Sequence, residues 1–159
     1  YDQGNISFFS YSNISLLQRV RHSVSISDME IFNGNLLTIA KDSNQINFWN
    51  VSNWVNYHNI SFLPANSWGL KIKLLDSNYL AVALSDFSIR IFDLSTSTET
   101  KLLNGHTSHI RSLEYISASS RLLSGSEDLT LRVWNPYDSN NNLLQTHTLT
   151  RVPVAILYL

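Results

Sequence analysis

Ser124, His106 and Asp128 are the residue types of a nucleophile, a general base and the acid that orients it, and they fall close together in the chain. Acyl transfer is the chemistry such a trio would carry. That chemistry also needs an exposed serine Oγ, a sharp turn that presents it and donors aimed at an oxyanion. Ser124 sits instead inside the apolar run LLSGS, with no strand-to-helix elbow after it. No catalytic residue is assigned, and the chain is read as a non-enzyme. His106 and His109 have the spacing of an H-x-x-H metal pair, yet no third ligand stands nearby and the pair lies on a turn leading into a strand. The five glycines form no phosphate-cradling loop, and the lack of cysteine removes thiolate metal sites and disulfides. Neither a metal nor a cofactor is expected.

The elements around these residues recur. An aromatic anchor returns at Phe8, Trp49, Phe92 and Trp134, with gaps of 41, 43 and 42 residues. Each anchor follows an acidic turn, opened by Asp2, Asp42, Asp86 or Asp128, and sits in an alternating apolar run such as Leu129, Leu131, Val133. That alternation has the period of a half-buried strand. A second apolar run precedes three of the turns, at 36–40, 80–84 and 122–126, reached through NGN, DSN and SASS. A third run lies earlier, at 24–31, 70–75 and 110–116, and a more polar fourth follows the anchor, at 55–62, 99–103 and 143–149. Four short antiparallel strands per ~40 to 45 residues describe a propeller blade. The expected fold is all-β, a β-propeller of four-stranded antiparallel blades whose ring is incomplete in this chain.

The segment NGHTSHIRSLEY followed by LLSGSEDLTLRVWN resembles a WD repeat, with Gly105-His106 as the GH pair and Trp134-Asn135 in place of Trp-Asp. The second unit, ending IRIFDLS, is a degenerate match with Phe92 for Trp and Trp68-Gly69 near the GH position. The first, LLTIAKDSNQINFWN, has one extra residue in its turn, and its candidate His22 sits two residues too close to the strand. The resemblance spans essentially the whole chain. It divides residues 1–159 of one propeller domain into 1–21 as the end of a blade, 22–63 as a blade, 64–103 as the degenerate blade, 104–149 as the best-matching blade and 150–159 as the first strand of another. It also implies that His106, Ser124, Asp128 and Trp134 form a structural hydrogen-bonded chain. Thr38, Asp42 and Trp49 would supply part of that chain in the first unit. The second unit keeps Asp86 but has Val82 and Phe92 at the matching places, and relies on packing.

The resemblance further implies a partner-binding face. In the family, contacts often come from residues three and five after the GH histidine and from the residue before the turn Asp. Those positions are His109, Arg111 and Glu127 in the third unit, and Trp68, Leu70, Ser85 and Lys41 in the others. Trp68 either presents an aromatic anchor to a partner or packs between blades. Arg111 and Glu127 either bind a partner or form a solvated ion pair.

Composition narrows the function classes. With 43% hydrophobic and 14% charged residues the chain is globular, not a disordered tail. Its net charge is −1, and Lys and Arg stand singly apart from Arg19, Arg21, Lys71 and Lys73, so nucleic acid is not the expected primary partner. No apolar run reaches the ~18 residues of a spanning helix, no membrane is expected, and the protein is read as intracellular, with cytoplasm and nucleus not distinguished. Four N-x-S sequons, at Asn5, Asn13, Asn50 and Asn59, are read as products of an Asn- and Ser-rich composition. At a mean spacing near 42 the 159 residues hold just under four units. The chain is therefore read as an excerpt whose ring is completed by further blades or a partner chain. The expected function is a protein–protein interaction scaffold or adaptor that binds other proteins or peptides. The alternative is a recruitment or regulatory propeller of a larger enzyme with its catalytic domain elsewhere. A propeller hydrolase with a central metal would need His or acidic residues recurring on innermost strands, and none are read there.

Overall fold

The computed structural model describes residues 5–9, 16–21, 25–61, 66–76, 78–138, 142–153 and 155–156. The turn at Asp2 and the candidate His22 lie outside the described residues. The fold is all-β. Strands β1 (Asn5–Phe9) and β2 (Leu16–Arg21) pair as an antiparallel hairpin. Three four-stranded antiparallel meanders follow: β3 (Ile26–Phe32), β4 (Asn35–Ala40), β5 (Gln45–Asn50) and β6 (Val55–Ser61); β7 (Gly69–Leu74), β8 (Tyr79–Leu84), β9 (Ile89–Asp93) and β10 (Thr98–Leu103); β11 (Ile110–Ile116), β12 (Arg121–Ser126), β13 (Thr130–Trp134) and β14 (Leu143–Thr148). β3 begins at Ile26 and runs on to Phe32, two residues after and one residue beyond the apolar run read at 24–31. No strand is formed at Val152, Pro153, Ala155 or Ile156, and Val154 and 157–159 lie outside the described residues.

Burial explains the graded polarity of the strands. The second strand of each sheet, NLLTIA, YLAVAL or RLLSGS, is buried along most of its length, whereas the fourth is mostly exposed. In the middle sheet, β8 is covered on both faces by neighbouring sheets, so YLAVAL reads as an unbroken apolar run. Successive side chains point to opposite faces, and β8 shows the consequence. Leu80, Val82 and Leu84 join Leu37, Ile39, Ile46 and Phe48 of the preceding sheet, while Ala81 and Ala83 join Ile110, Leu122 and Trp134 of the following one. The core therefore lies between sheets and not within any one of them. Innermost strands β3, β7 and β11 stand side by side, and the described sheets form an arc that does not close a ring.

Register fixes which positions correspond. Leu36, Leu80 and Leu122 each pair with their sheet's anchor, so Ile39, Ala83 and Gly125 are equivalent, and Gly69 and Ile110 hold the same place at the start of the next innermost strand. Side-chain volume alternates across these junctions. Bulky Ile39 meets Gly69, where an added Cβ would stand 2.8 Å from the Ile39 side chain. Ala83 is buried in one cluster with Ile110. Gly125 meets Pro153, whose Cγ would stand 2.5 Å from a Cβ placed there. Interiors at crystal-like density accept a large residue only against a small one.

Candidate functional site

The third sheet contains one connected polar chain. Trp134 Nε1 donates to Ser124 Oγ at 2.7 Å, Ser124 Oγ lies 2.7 Å from His106 Nε2, and His106 Nδ1 lies 2.7 Å from Asp128 Oδ2. An ionised carboxylate only accepts, so Nδ1 carries the proton, and a neutral imidazole then accepts the Ser124 O–H at Nε2. Every group in the chain has its partner. Burial lowers the His106 pKa below its ordinary value, and the nearby Arg132 cation works in the same direction against the pull of Asp128. Burial pushes the Asp128 carboxyl up. Hydrogen bonds from Thr130, His106 and the Thr107 N–H outweigh it and hold the pKa at about 2. Gly105 belongs to the same construction, because a Cβ there would run into the Arg132 guanidinium.

The connectivity matches that of a nucleophilic triad, but Ser124 is 0% exposed and its oxygen already accepts from the Trp134 indole. Its hydroxyl is not presented to a substrate. The first sheet keeps a shorter version, Trp49 Nε1 donating to Thr38 Oγ1 at 2.9 Å, with Asp42 on an exposed turn at φ 63°. In the second sheet Asp86 accepts from the Ser88 amide and hydroxyl and faces Arg90 at 3.6 Å, while Val82 and Phe92 are buried in an apolar cluster.

The loops that lead into the innermost strands are held alike in all three sheets. The residue before each turn Asp donates its N–H to the carbonyl of the residue that precedes the innermost strand: Lys41 to Ser25, Ser85 to Trp68 and Glu127 to His109. In the second sheet a return bond, from the Trp68 N–H to Ser85 Oγ at 3.1 Å, doubles the clasp. These clasps gather the nominated side chains on one face. Lys41, Trp68, Leu70, His109 and Arg111 line a shared cavity of about 520 Å³, and Ser85 and Glu127 are the nominated residues that do not line it. Glu127 sits beside it, bound by the Arg111 guanidinium and 3.4 Å from His109 Nδ1. Trp68 is half-buried and lines the cavity. Phe87, at φ 69° in the turn of the second sheet, stacks edge-on against His109 with ring centroids 5.2 Å apart.

Two features escaped the sequence reading. Lys71 also lines the cavity. Acidic residues do recur on innermost strands, contrary to that reading: Asp28 and Glu30 on β3 and Glu114 on β11. Two lysines of β7 bind them. Lys71 stands 3.7 Å from Asp28, and Lys73 stands 3.8 Å from Glu30 and 3.2 Å from Glu114. Asp28 also accepts the Ile72 N–H at 3.0 Å, tying β3 to β7 through the backbone. No group of three or more metal-ligating side chains occurs among the described residues. The signal was the alternation in LKIKL facing that in SDMEI, visible only once the two strands lie side by side.

Comparison with known proteins gives the following likenesses. A family model described as WD domain, G-beta repeat matches residues 97–135. WD repeat-containing protein 36 of Homo sapiens is 28% identical over 115 residues, covering 72% of this chain and 13% of that protein. THO complex subunit 6 of Homo sapiens is 40% identical over 58 residues, covering 36% of this chain and 17% of that protein. The chain thus spans less than a fifth of either relative. The crystal structure of the RRP9 WD40 repeats superposes with a TM-score of 0.72 at 23% identity, covering 84% of this chain and 41% of that one, a likeness of fold.

Proposed function

We propose, from the match of residues 97–135 to the WD domain, G-beta repeat family and the likeness to WD repeat-containing protein 36, that the chain is a WD-repeat protein and a protein–protein interaction scaffold or adaptor presenting the clasped loop face to partner proteins or peptides. WD repeats in general mediate protein–protein interaction and are in general non-catalytic. The observation that carries the specific reading is the cavity, to which three successive sheets contribute Lys41, Trp68 and Arg111 on loops and strand ends fixed by the same backbone bond. Loops held rigidly by a scaffold are where recognition concentrates, and an aromatic beside arginine is the composition of an interface anchor. In this reading residues 1–159 are part of one propeller domain, with blades at 22–63, 64–103 and 104–149, the end of another at 1–21 and the start of another at 150–159. The His106, Ser124, Asp128 and Trp134 chain is structural and fixes how the third blade sits on the second. In this reading the protein works inside the cell, and THO complex subunit 6, by its name a part of a complex, is a relative consistent with a scaffold role.

The test is affinity capture with mass spectrometry on the intact protein, comparing wild type with Trp68→Ala plus Arg111→Glu after both are shown to fold. Partners that the wild type captures and the double variant loses support the reading. Partners that survive the substitution place the interface elsewhere, and capture of none beside a co-purifying activity overturns the scaffold assignment.

A further inference from the structure

The cavity has a sign. Four of its lining side chains are basic, Lys41, Lys71, His109 and Arg111, and its lining holds no carboxylate among the described residues. The neighbouring acids are already engaged: Asp28 by Lys71 and the Ile72 N–H, Glu127 by Arg111 and His109. Lys41 is exposed and makes no ion pair among the described residues. Along the innermost strands the balance reverses, because Lys73 stands between Glu30 and Glu114, one cation against two carboxylates. A negative group is therefore drawn to the mouth and turned back below it. The wall supplies one large aromatic surface, Trp68, beside Leu70.

We propose that this cavity binds a short acidic peptide segment of a partner protein, with a carboxylate between Lys41 and Lys71 and an adjacent apolar side chain against Trp68. The assignment rests on the scaffold reading above and names the chemistry of its ligand. The volume, about 520 Å³, lies within the roughly 300–1,000 Å³ of pockets that enclose small ligands, so it admits a few extended residues and not a folded domain. A single-stranded nucleic acid would want successive stacking aromatics along a basic track. Here one indole is available, and no basic track of successive aromatics lines the cavity among the described residues.

The experiment pans a display library of short random peptides against the intact protein, wild type and Lys41→Glu. The strongest peptide is then measured by fluorescence anisotropy against its Gln/Asn counterpart, a phosphoserine counterpart and an oligouridylate. Lys41 is exposed on a turn, and thermal unfolding confirms that its reversal leaves the fold intact. The expected result is selected sequences that are net acidic with a neighbouring apolar residue. Amide replacement should weaken binding at least about tenfold, Lys41→Glu roughly five- to tenfold, and both effects should shrink with added salt. Neutral or basic selected sequences, equal binding by Lys41→Glu, or stronger binding of the phosphopeptide or the oligouridylate would each overturn the proposal. Specific partner capture that depends on Trp68 and Arg111, together with selected peptides that are not acidic, sinks this inference and leaves the scaffold reading standing. Absence of specific capture sinks the scaffold reading itself.

Discussion

The sheet β7–β10 meets its two neighbours by different means. Toward the first sheet it presents Leu80, Val82, Leu84 and Phe92, an apolar surface whose side chains are at most 1% exposed. Toward the third sheet it presents the small Ala81 and Ala83 of β8 beside Ile89 and Ile91 of β9 and Leu103 of β10, and receives Trp134 with the buried chain Ser124, His106 and Asp128 behind it. The two junctions occupy equivalent places in the repeat. Polar ties join the innermost strands at both, Asp28 to the Ile72 N–H at the first and Glu114 to Lys73 at the second, but only the second has a buried polar chain behind it, so that chain is not a requirement of the blade. What it adds is sensitivity: each buried partner left without its bond costs about 1 to 3 kcal/mol, whereas an apolar contact degrades gradually.

The largest break in that comparison is Phe92→Ala. It opens a cavity in a junction whose buried cluster is apolar throughout, and denaturant unfolding should show a loss of about 3 to 5 kcal/mol. A loss below about 1 kcal/mol would mean that the sheets close over the gap. Acid should discriminate between the junctions next. His106 binds a proton more readily unfolded, at its ordinary 6.5, than folded, so its contribution is complete above 6.5 and declines as the pH falls below that value. Asp128, at about 2 folded against 3.8 unfolded, contributes above 3.8 and loses on the order of 2 kcal/mol as the pH falls toward about 2. Urea titrations followed by tryptophan fluorescence across that range should show both losses, and a His106→Gln, Asp128→Asn variant should flatten the profile. An unchanged slope in the variant would assign the acid sensitivity elsewhere.

The smallest effect sharpens the comparison by converting one junction toward the other. Val82→Thr alone buries an unpaired hydroxyl and should cost on the order of 1 kcal/mol. Val82→Thr with Phe92→Trp should recover most of it by reproducing the 2.9 Å bond that joins Trp49 to Thr38 in the first sheet. Chemical denaturation of the two variants decides, and a double variant no more stable than the single would show that the second sheet lacks room for the indole.

The strands were legible because their cause is local. The alternation in TLRVW and the acidic turn before it need no knowledge of the rest of the molecule, and the anchors Trp49, Phe92 and Trp134 announce themselves by spacing. The same holds for the loop positions of Lys41, Trp68 and His109, whose numbering relative to the turn survives in a degenerate repeat. What stayed hidden depends on neighbours some forty residues away. Asp28 and Glu114 read singly as polar punctuation of inner strands and Lys71 with Lys73 as a small basic cluster, and only the packing of β3, β7 and β11 converts them into pairs. Phe87 was illegible for another reason: a left-handed turn at φ 69° normally calls for Gly or Asn, and a phenylalanine there gives no turn signal.

Modules that look alike can assemble in the wrong sequence, and repeat chains are exposed to this hazard because each strand has several near-identical candidates to settle against. The junctions of Ile39 with Gly69, Ala83 with Ile110, and Gly125 with Pro153 work as keys of different cut. A sheet opening with Ile110 cannot seat against Ile39 without overlap, and one opening with Gly69 would leave a void against Gly125. The first sheet therefore accepts Gly69 and refuses Ile110, so part of the linear order of the chain is written a second time in the shapes of its sheets, where it penalises one kind of shuffled assembly.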